Sequence, residues 1–178
     1  MAQRKPRLLD REALWESALR ALGGRAHSVS ELAAKLRRRA LRQEDVGDVL
    51  SRLKQAGYLD DRRFAESYAA GRLEGAGLGR MRVLRDLRTK RVAPAVAEEA
   101  VKEAYREVDE VRLIESFLKR KYRAVELGAH LTEPRHMASA YRKLRLAGFS
   151  SGNAIRVLKR YSERAEELAT LEDEDREN

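Results

Sequence analysis

The sequence predicts an all-α protein, an elongated, curved tandem array of three-helix repeats. Three observations carry this. Apolar residues recur at helical spacing along most of the chain, whereas strand-type alternation is hard to find. Of the 178 residues 38% are charged and only three are proline, which suits extended helical surfaces better than one large core. A leucine-arginine step, a short turn with one apolar residue and an amphipathic helix occur together three times. Leu36-Arg37 leads through Leu41 to Val46, Val49 and Leu50; Leu87-Arg88 leads through Val92 to Val96, Ala100 and Val101; Leu144-Arg145 leads through Phe149 to Ala154, Ile155 and Leu158. Such a recurrence is expected of helical units that bury their apolar faces partly against a neighbour, and an extended array suits a protein that lies along a filament or groove.

The elements follow in order. Leu14, Trp15, Ala18, Leu19 and Leu22 share one face of a first helix that Gly23-Gly24 stops. Ser28 with Glu31 three residues on is a capping box, in which each side chain satisfies an orphan backbone N–H, and opens a second helix with Leu32 and Leu36 inward. Val46, Val49, Leu50 and Leu53 mark a third, with Gly57 in the left-handed C-terminal position and Tyr58 and Leu59 folding back. Asp60 caps a fourth through Phe64, Ala65, Tyr68 and Leu73, with Asp61 adding charge in its first turn. Gly75, Gly77 and Gly79 then form a flexible break before a fifth helix carrying Met81, Leu84 and Leu87. Ala93-Pro94 starts a sixth, because the missing proline N–H would be unpaired there anyway, and Asp109 opens a seventh with Val111, Ile114, Phe117 and Leu118 inward. Residues 124–131 are expected as a loop. Thr132 with Pro134 marks the next start, through Met137, Tyr141 and Leu144 to Gly148-Phe149, and Ser150 or Ser151 caps the last helix through Ile155, Leu158 and Tyr161. The resulting organisation is residues 1–73, an N-terminal helix, first repeat and joining helix; 74–123, a second repeat; 124–162, a third; and 163–178, an acidic tail without apolar residues enough to order it.

Charge narrows the partner. The chain carries +9, yet residues 162–178 hold eight Asp and Glu against two Arg, a net of −6, so the remainder carries +15. That surplus points to a polyanion, either nucleic acid or an acidic protein surface, with the tail expected to screen the basic body. No cysteine means no disulfide, no thiolate chemistry and no cysteine zinc site. No apolar run has the length of a signal peptide or membrane helix, so a cytoplasmic location is expected, with no membrane partner.

Catalytic and metal motifs are missing. Asp60-Asp61 has no nearby histidine or third carboxylate and reads as capping; His27, His130 and His136 show no zinc spacing; the three glycines lack the strand and Gly-Lys-Ser/Thr of a phosphate cradle. Ser28, Ser30 and Ser150 sit at helix starts, where capping explains them. Trp15, Phe64, Tyr68, Phe117 and Tyr141 fall on apolar helical faces and belong to the core, whereas Tyr58 and Phe149, beside glycine turns, are expected to be more exposed and to staple helix ends. No coherent nucleophile, base and orienter assembles, so neither an enzyme nor a cofactor is expected.

Residues 57–92 carry a family resemblance: Tyr58 after Gly57, the Asp60-Asp61 pair, Arg63-Phe64-Ala65, Tyr68, Arg72, the glycine break, then a leucine helix closing on Lys90-Arg91-Val92. Further pieces are Arg25-Ala26-His27-Ser28 with Glu31-Leu32 and Lys35-Leu36, then Lys119-Arg120-Lys121-Tyr122, and Lys143-Leu144 through Gly148-Phe149 and Ile155. This order resembles the RecX family from about Leu14 to Tyr161, most closely at Tyr58 to Val92 and least across 124–137. One departure is Arg91, where the family usually has a glycine before the valine; arginine tolerates a left-handed backbone less well, which puts the turn after Lys90 in question.

The resemblance implies a non-enzymatic, monomeric regulator that binds the RecA filament on single-stranded DNA, in its groove or at its growing end. It further implies inhibition of strand exchange, coprotease activity and ATP hydrolysis, and so modulation of recombinational repair and the SOS response, with weak non-specific DNA binding alongside. The residues themselves nominate the contacting cations: first Arg80, Arg82, Arg85, Arg88, Lys90 and Arg91, second Arg37, Arg38 and Arg39, third Lys119, Arg120, Lys121 and Arg123. Each cluster also has a plainer reading as a solvated helix face or as cations complementing a helix dipole. The alternative function is a direct DNA-binding helix-turn-helix-like module, although no Arg, Asn or Gln set stands out at the start of a recognition helix.

Overall fold

A computed structural model describes residues 8–162 and Ala165. The tail predicted over 163–178 lies, apart from Ala165, outside the described residues. Among them the protein is all-α and built from three-helix repeats, with ten helices and no strand; one isolated parallel bridge joins Leu9 to Ala40. The helices are α1 (Arg11–Gly24), α2 (Val29–Arg37), α3 (Glu44–Gln55), α4 (Asp61–Ala76), α5 (Arg80–Thr89), α6 (Pro94–Ala104), α7 (Glu110–Lys121), α8 (Leu127–Thr132), α9 (Pro134–Leu146) and α10 (Ser151–Leu158).

Their starts follow the capping residues. Asp10 accepts from Ala13 N, Ser28 and Glu31 complete the reciprocal box, Asp60 Oδ1 accepts from the N–H groups of Arg62 and Arg63, Asp109 from Val111 and Arg112, and Ser150 from Asn153. Each satisfies donors that the helix leaves orphaned, about 1 kcal/mol per cap. Three ends share one closure, a Schellman motif. Tyr58 N donates to Leu53 O, Val92 N to Leu87 O and Phe149 N to Leu144 O, while the preceding residues Gly57, Arg91 and Gly148 take φ of 72°, 56° and 91°. The turn questioned at Arg91 is therefore made, with arginine in the left-handed region.

The chain forms two compact units. The first holds the described residues to Tyr68 together with Asp86–Ala100; the second holds Ala69–Arg85 and the described residues from Val101 onward. In the first, α1, α2 and α3 enclose Leu14, Ala18, Leu32, Leu36, Val46, Val49, Leu53 and Leu59. The buried Ser28 is a hub there. Its hydroxyl donates to Lys90 O (2.8 Å), Lys90 Nζ meets Glu31 Oε1 (2.8 Å), and Asp61 Oδ1 accepts from Val29 N (2.8 Å). The starts of α2 and α4 and the end of α5 are thereby tied at one point, by bonds worth about 1 kcal/mol each. In the second unit, α7, α9 and α10 bury Ile114, Leu118, Leu131, Met137, Tyr141, Leu144, Val157 and Leu158 around Phe149, which meets Phe117 edge to face at 5.4 Å. Tyr105 Oη donates to Leu78 O (2.6 Å), and burial pushes its phenol pKa up to about 12.

Several expectations are corrected. Residues 124–131 are not a loop: α8 forms because Glu126 accepts from the Gly128 and Ala129 N–H groups and Leu131 is buried. Thr132 ends α8, and Glu133 precedes α9, with Pro134 at its first position. Helix α4 continues through Gly75, and the glycines beyond it serve close packing more than flexibility: Gly79 is buried and its N–H donates to Ala147 O (2.8 Å). Phe149 is wholly buried while Tyr58 is exposed, because the Phe149 ring lies inside a core whereas the Tyr58 ring stays at the surface, meeting Trp15 edge to face at 6.4 Å. Leu41 is exposed, and Ala40, paired with Leu9, takes the buried place. On α5 Met81 is exposed and Val83 is buried instead.

Candidate partner-binding surface

The cations of α5 and its end do not present one uniform face. Arg80, Arg82 and Arg85 belong to the second unit, Arg88, Lys90 and Arg91 to the first. Arg80 is exposed and contributes to holding the Glu110 carboxyl low. Arg82 is half-buried, and its Nη1 donates to Leu146 O (3.4 Å). Arg85 is exposed. Arg88 pairs with Glu98 at 3.6 Å. Lys90 is mostly covered, bonded to Glu31 and stacked over the rings of Phe64 and Tyr68 at 5.9 and 5.3 Å. Arg91 is exposed.

Arg37, Arg38 and Arg39 close α2 and are all exposed, without an ion-pair or side-chain hydrogen-bond partner among the described residues. The backbone beneath them is fixed: Arg39 O accepts from Leu9 N (2.7 Å), Arg37 O from Gln43 Nε2 (3.1 Å). Arg42 extends the group, and exposed Leu41 lies within it. At the end of α7, Lys119, Lys121 and Arg123 are exposed without a partner of that kind, whereas Arg120 donates to Ala76 O and lies over the Phe117 ring at 5.8 Å, closing the end of α4.

The second helix of each helix pair bears on nucleic-acid readout. Helix α3 presents exposed Glu44 and Asp48, and α6 presents exposed Glu98 and Glu99. Helix α10 has no acid of its own and carries exposed Arg156, which stands outside the three basic clusters of the sequence. Its N-terminus is nevertheless occupied by a carboxylate: Glu110 accepts from Ser150 N (2.9 Å), Ser150 Oγ and Asn153 Nδ2 (both 2.5 Å). Burial works against that charge, but the bonds from Ser150 and Asn153, with nearby Arg80, leave its pKa lowered.

Concavities are present in both units. One of about 510 Å³ in the first unit is walled by Leu19, Leu22, His27, Tyr58 and Phe64 with Arg63 beside them; one of about 200 Å³ in the second adjoins Tyr105 and Glu110. Asp60 and Asp61 both act as backbone caps, Asp61 for Val29 of a different helix from its own. Among the described residues no three of His, Cys, Asp and Glu cluster as metal ligands, and no helix is long and apolar enough to cross a membrane. The His130 and His136 rings stack at 3.9 Å.

His27 is buried, and its Nδ1 has no hydrogen-bond partner among the described residues. Burial, then Arg25, Lys35 and Lys90, lower its pKa from 6.5 against an opposing pull from Glu31. The unfolded chain therefore takes up this proton at a higher pH than the folded one. Stability is present above the unfolded value and lost as pH falls from there towards the folded pKa. The melting temperature is expected to fall as the pH drops through and below the ordinary histidine value of 6.5, and His27→Leu to flatten that slope. Thermal melts across this window check it, since Glu31 and Glu110, whose pKa values are lowered, contribute only near and below the ordinary 4.5.

Comparison with known proteins follows the same lines. Residues 15–53 match the first three-helix domain of RecX and residues 60–101 the second. The chain is 32% identical over 157 residues to the regulatory protein RecX of Streptomyces coelicolor, covering 88% of this chain and 81% of that one. It is 35% identical over 145 residues to that of Deinococcus radiodurans, covering 82% and 66%. In fold it is similar to the crystal structure of RecX from Lactobacillus salivarius, with TM-score 0.62, 18% identity, and 85% and 96% of the two chains covered. A second crystal structure of regulatory protein RecX gives TM-score 0.66 at 22% identity, covering 83% and 70%.

Proposed function

The chain belongs to the RecX family of non-enzymatic proteins that regulate RecA-mediated recombination, and on that premise we propose that it binds the RecA filament on single-stranded DNA and inhibits it. Occupying the groove or growing end hinders subunit addition and strand exchange, and lowers ATP hydrolysis and coprotease activity. The protein acts in the cytoplasm as a monomer. The observation that carries this reading is the set of exposed cations without partners among the described residues: Arg37, Arg38 and Arg39 in one unit, Lys119, Lys121 and Arg123 in the other. Cations already neutralised by their own fold add little to an encounter; unpaired ones attract an acidic partner over a Debye length, about 8 Å in physiological salt.

Direct DNA binding is the second reading, favoured by Arg156 on α10. Against it stand Glu44 and Asp48 on α3, Glu98 and Glu99 on α6, and Glu110 at the start of α10, which put carboxylates where a helix-turn-helix module brings phosphate or base edges. The test adds the protein at stoichiometric amounts to preformed RecA filaments on single-stranded DNA. ATP hydrolysis and strand exchange are expected to fall, less so at high salt. No effect on either, together with tight binding to one duplex sequence, would transfer the assignment to the second reading.

A further inference from the structure

The Schellman turns that close α3, α5 and α9 share one hydrogen-bond pattern, and the middle one uses an unfavourable residue for it. At the left-handed position stand Gly57, Arg91 and Gly148, with φ of 72°, 56° and 91°. Glycine adopts this backbone without steric cost, whereas an arginine Cβ crowds the neighbouring carbonyl. The turn is held from outside. Lys90 O accepts from Ser28 Oγ and Lys90 Nζ is paired with Glu31, while Val92 is buried. The Arg91 side chain takes no part in this: it is exposed and makes no hydrogen bond, ion pair or ring contact among the described residues. Nor does the α5 dipole require it, since Arg88 and Lys90 already stand at that helix end.

We infer that Arg91 is a preorganised contact residue, its guanidinium displayed by the strained turn to receive a carboxylate of the protein partner. This rests on the filament-binding reading above. The neighbouring cations decide between partner classes. Arg88 is paired with Glu98 and Lys90 with Glu31, so of the three cations closing this turn Arg91 alone is without a partner among the described residues, in place of the row that a phosphate backbone engages. A single planar fork on a rigid turn suits one carboxylate, bound through two parallel hydrogen bonds with little ordering cost.

The test compares wild type, Arg91→Gly and Arg91→Lys by thermal melting, co-sedimentation with RecA filaments on single-stranded DNA, ATP hydrolysis, and anisotropy on bare single-stranded DNA. Arg91→Gly is expected to raise the melting temperature by about 2–4 °C because the strain is relieved. The same change raises the concentration for half-saturation of the filaments about tenfold, with DNA binding unchanged. Arg91→Lys, which keeps the charge and loses the fork, melts like wild type and binds between the two. Undiminished filament binding by Arg91→Gly overturns the contact; a lower melting temperature overturns the strain; a parallel loss on bare DNA makes the partner nucleic acid and overturns the carboxylate. Wild-type binding without slowed hydrolysis sinks the inhibitory reading alone, and Arg91 is still scored by binding. Absence of wild-type binding sinks both.

Discussion

Gly148→Ala is expected to destabilise the second unit by about 4 kcal/mol, close to what a small domain has to lose. At φ 91° any side chain is strained, and a Cβ there would lie 2.2 Å from Arg82 N, 2.5 Å from Arg82 Cβ and 2.8 Å from Arg82 Cα. The crossing is tight from both sides: a Cβ on Gly79 would meet the Gly148 carbonyl at 2.3 Å and Phe149 N at 2.6 Å. The two backbones are joined there by Gly79 N to Ala147 O (2.8 Å) and Met81 N to Gly148 O (3.2 Å), so they cannot separate without breaking those bonds and uncovering Phe149. Gly57→Ala is the matched control. It has the same left-handed backbone, φ 72°, and nothing within 4 Å of the added methyl, so it should cost only the conformational strain, about 1 kcal/mol. Urea unfolding followed by circular dichroism measures both. Equal losses would mean that the close crossing contributes nothing.

That contrast also marks how far the sequence could be read. Gly57 and Gly148 each announce a helix end, because the left-handed cap is a local requirement, and the same holds for Ser28, Asp60, Asp109 and Ser150 at helix starts. What separates Gly148 from Gly57 is Gly79, a residue far along the chain, and no local pattern names it. Helix α8 escaped for a related reason: it is six residues long, buries one leucine, and is capped by glutamate, a residue not expected in that role. The repeat was legible in its leucines, Leu36, Leu87 and Leu144 all being buried, but its first turn was placed one residue late because the Leu9 pairing that buries Ala40 is non-local.

The candidate surface divides the same way. Six cations over 80–91 look equivalent in sequence, since nothing there tells Lys90 that Glu31 awaits it, Arg88 that Glu98 does, or Arg82 that its donor will meet Leu146 O. Arg37, Arg38 and Arg39 were identifiable because a helix end is a local feature, yet their lack of partners depends on the whole unit. A basic run in sequence thus locates charge, and the fold decides how much of it remains available.

Reversing the charge of that available set, as Arg37→Glu, Arg38→Glu and Arg39→Glu together, is expected to weaken filament binding roughly a hundredfold at low salt. Among the described residues the substitutions remove no ion pair or side-chain hydrogen bond and fill no buried space, so each should cost at most about 0.5 kcal/mol in stability, mostly from acid at a helix C-terminus. Reversal is more informative than truncation, because it converts long-range attraction into repulsion and acts on the association rate. Lys90→Glu is the counter-case: it places a carboxylate against Glu31 and removes the cation over Phe64 and Tyr68, so it should lower the melting temperature, and any lost binding would follow the lost fold. Stopped-flow association with RecA filaments at two salt concentrations separates these outcomes. A slower association rate with an unchanged melt and a shallower salt dependence places Arg37, Arg38 and Arg39 in the encounter. An unchanged rate removes them from it, leaving Lys119, Lys121 and Arg123 as the next set to reverse.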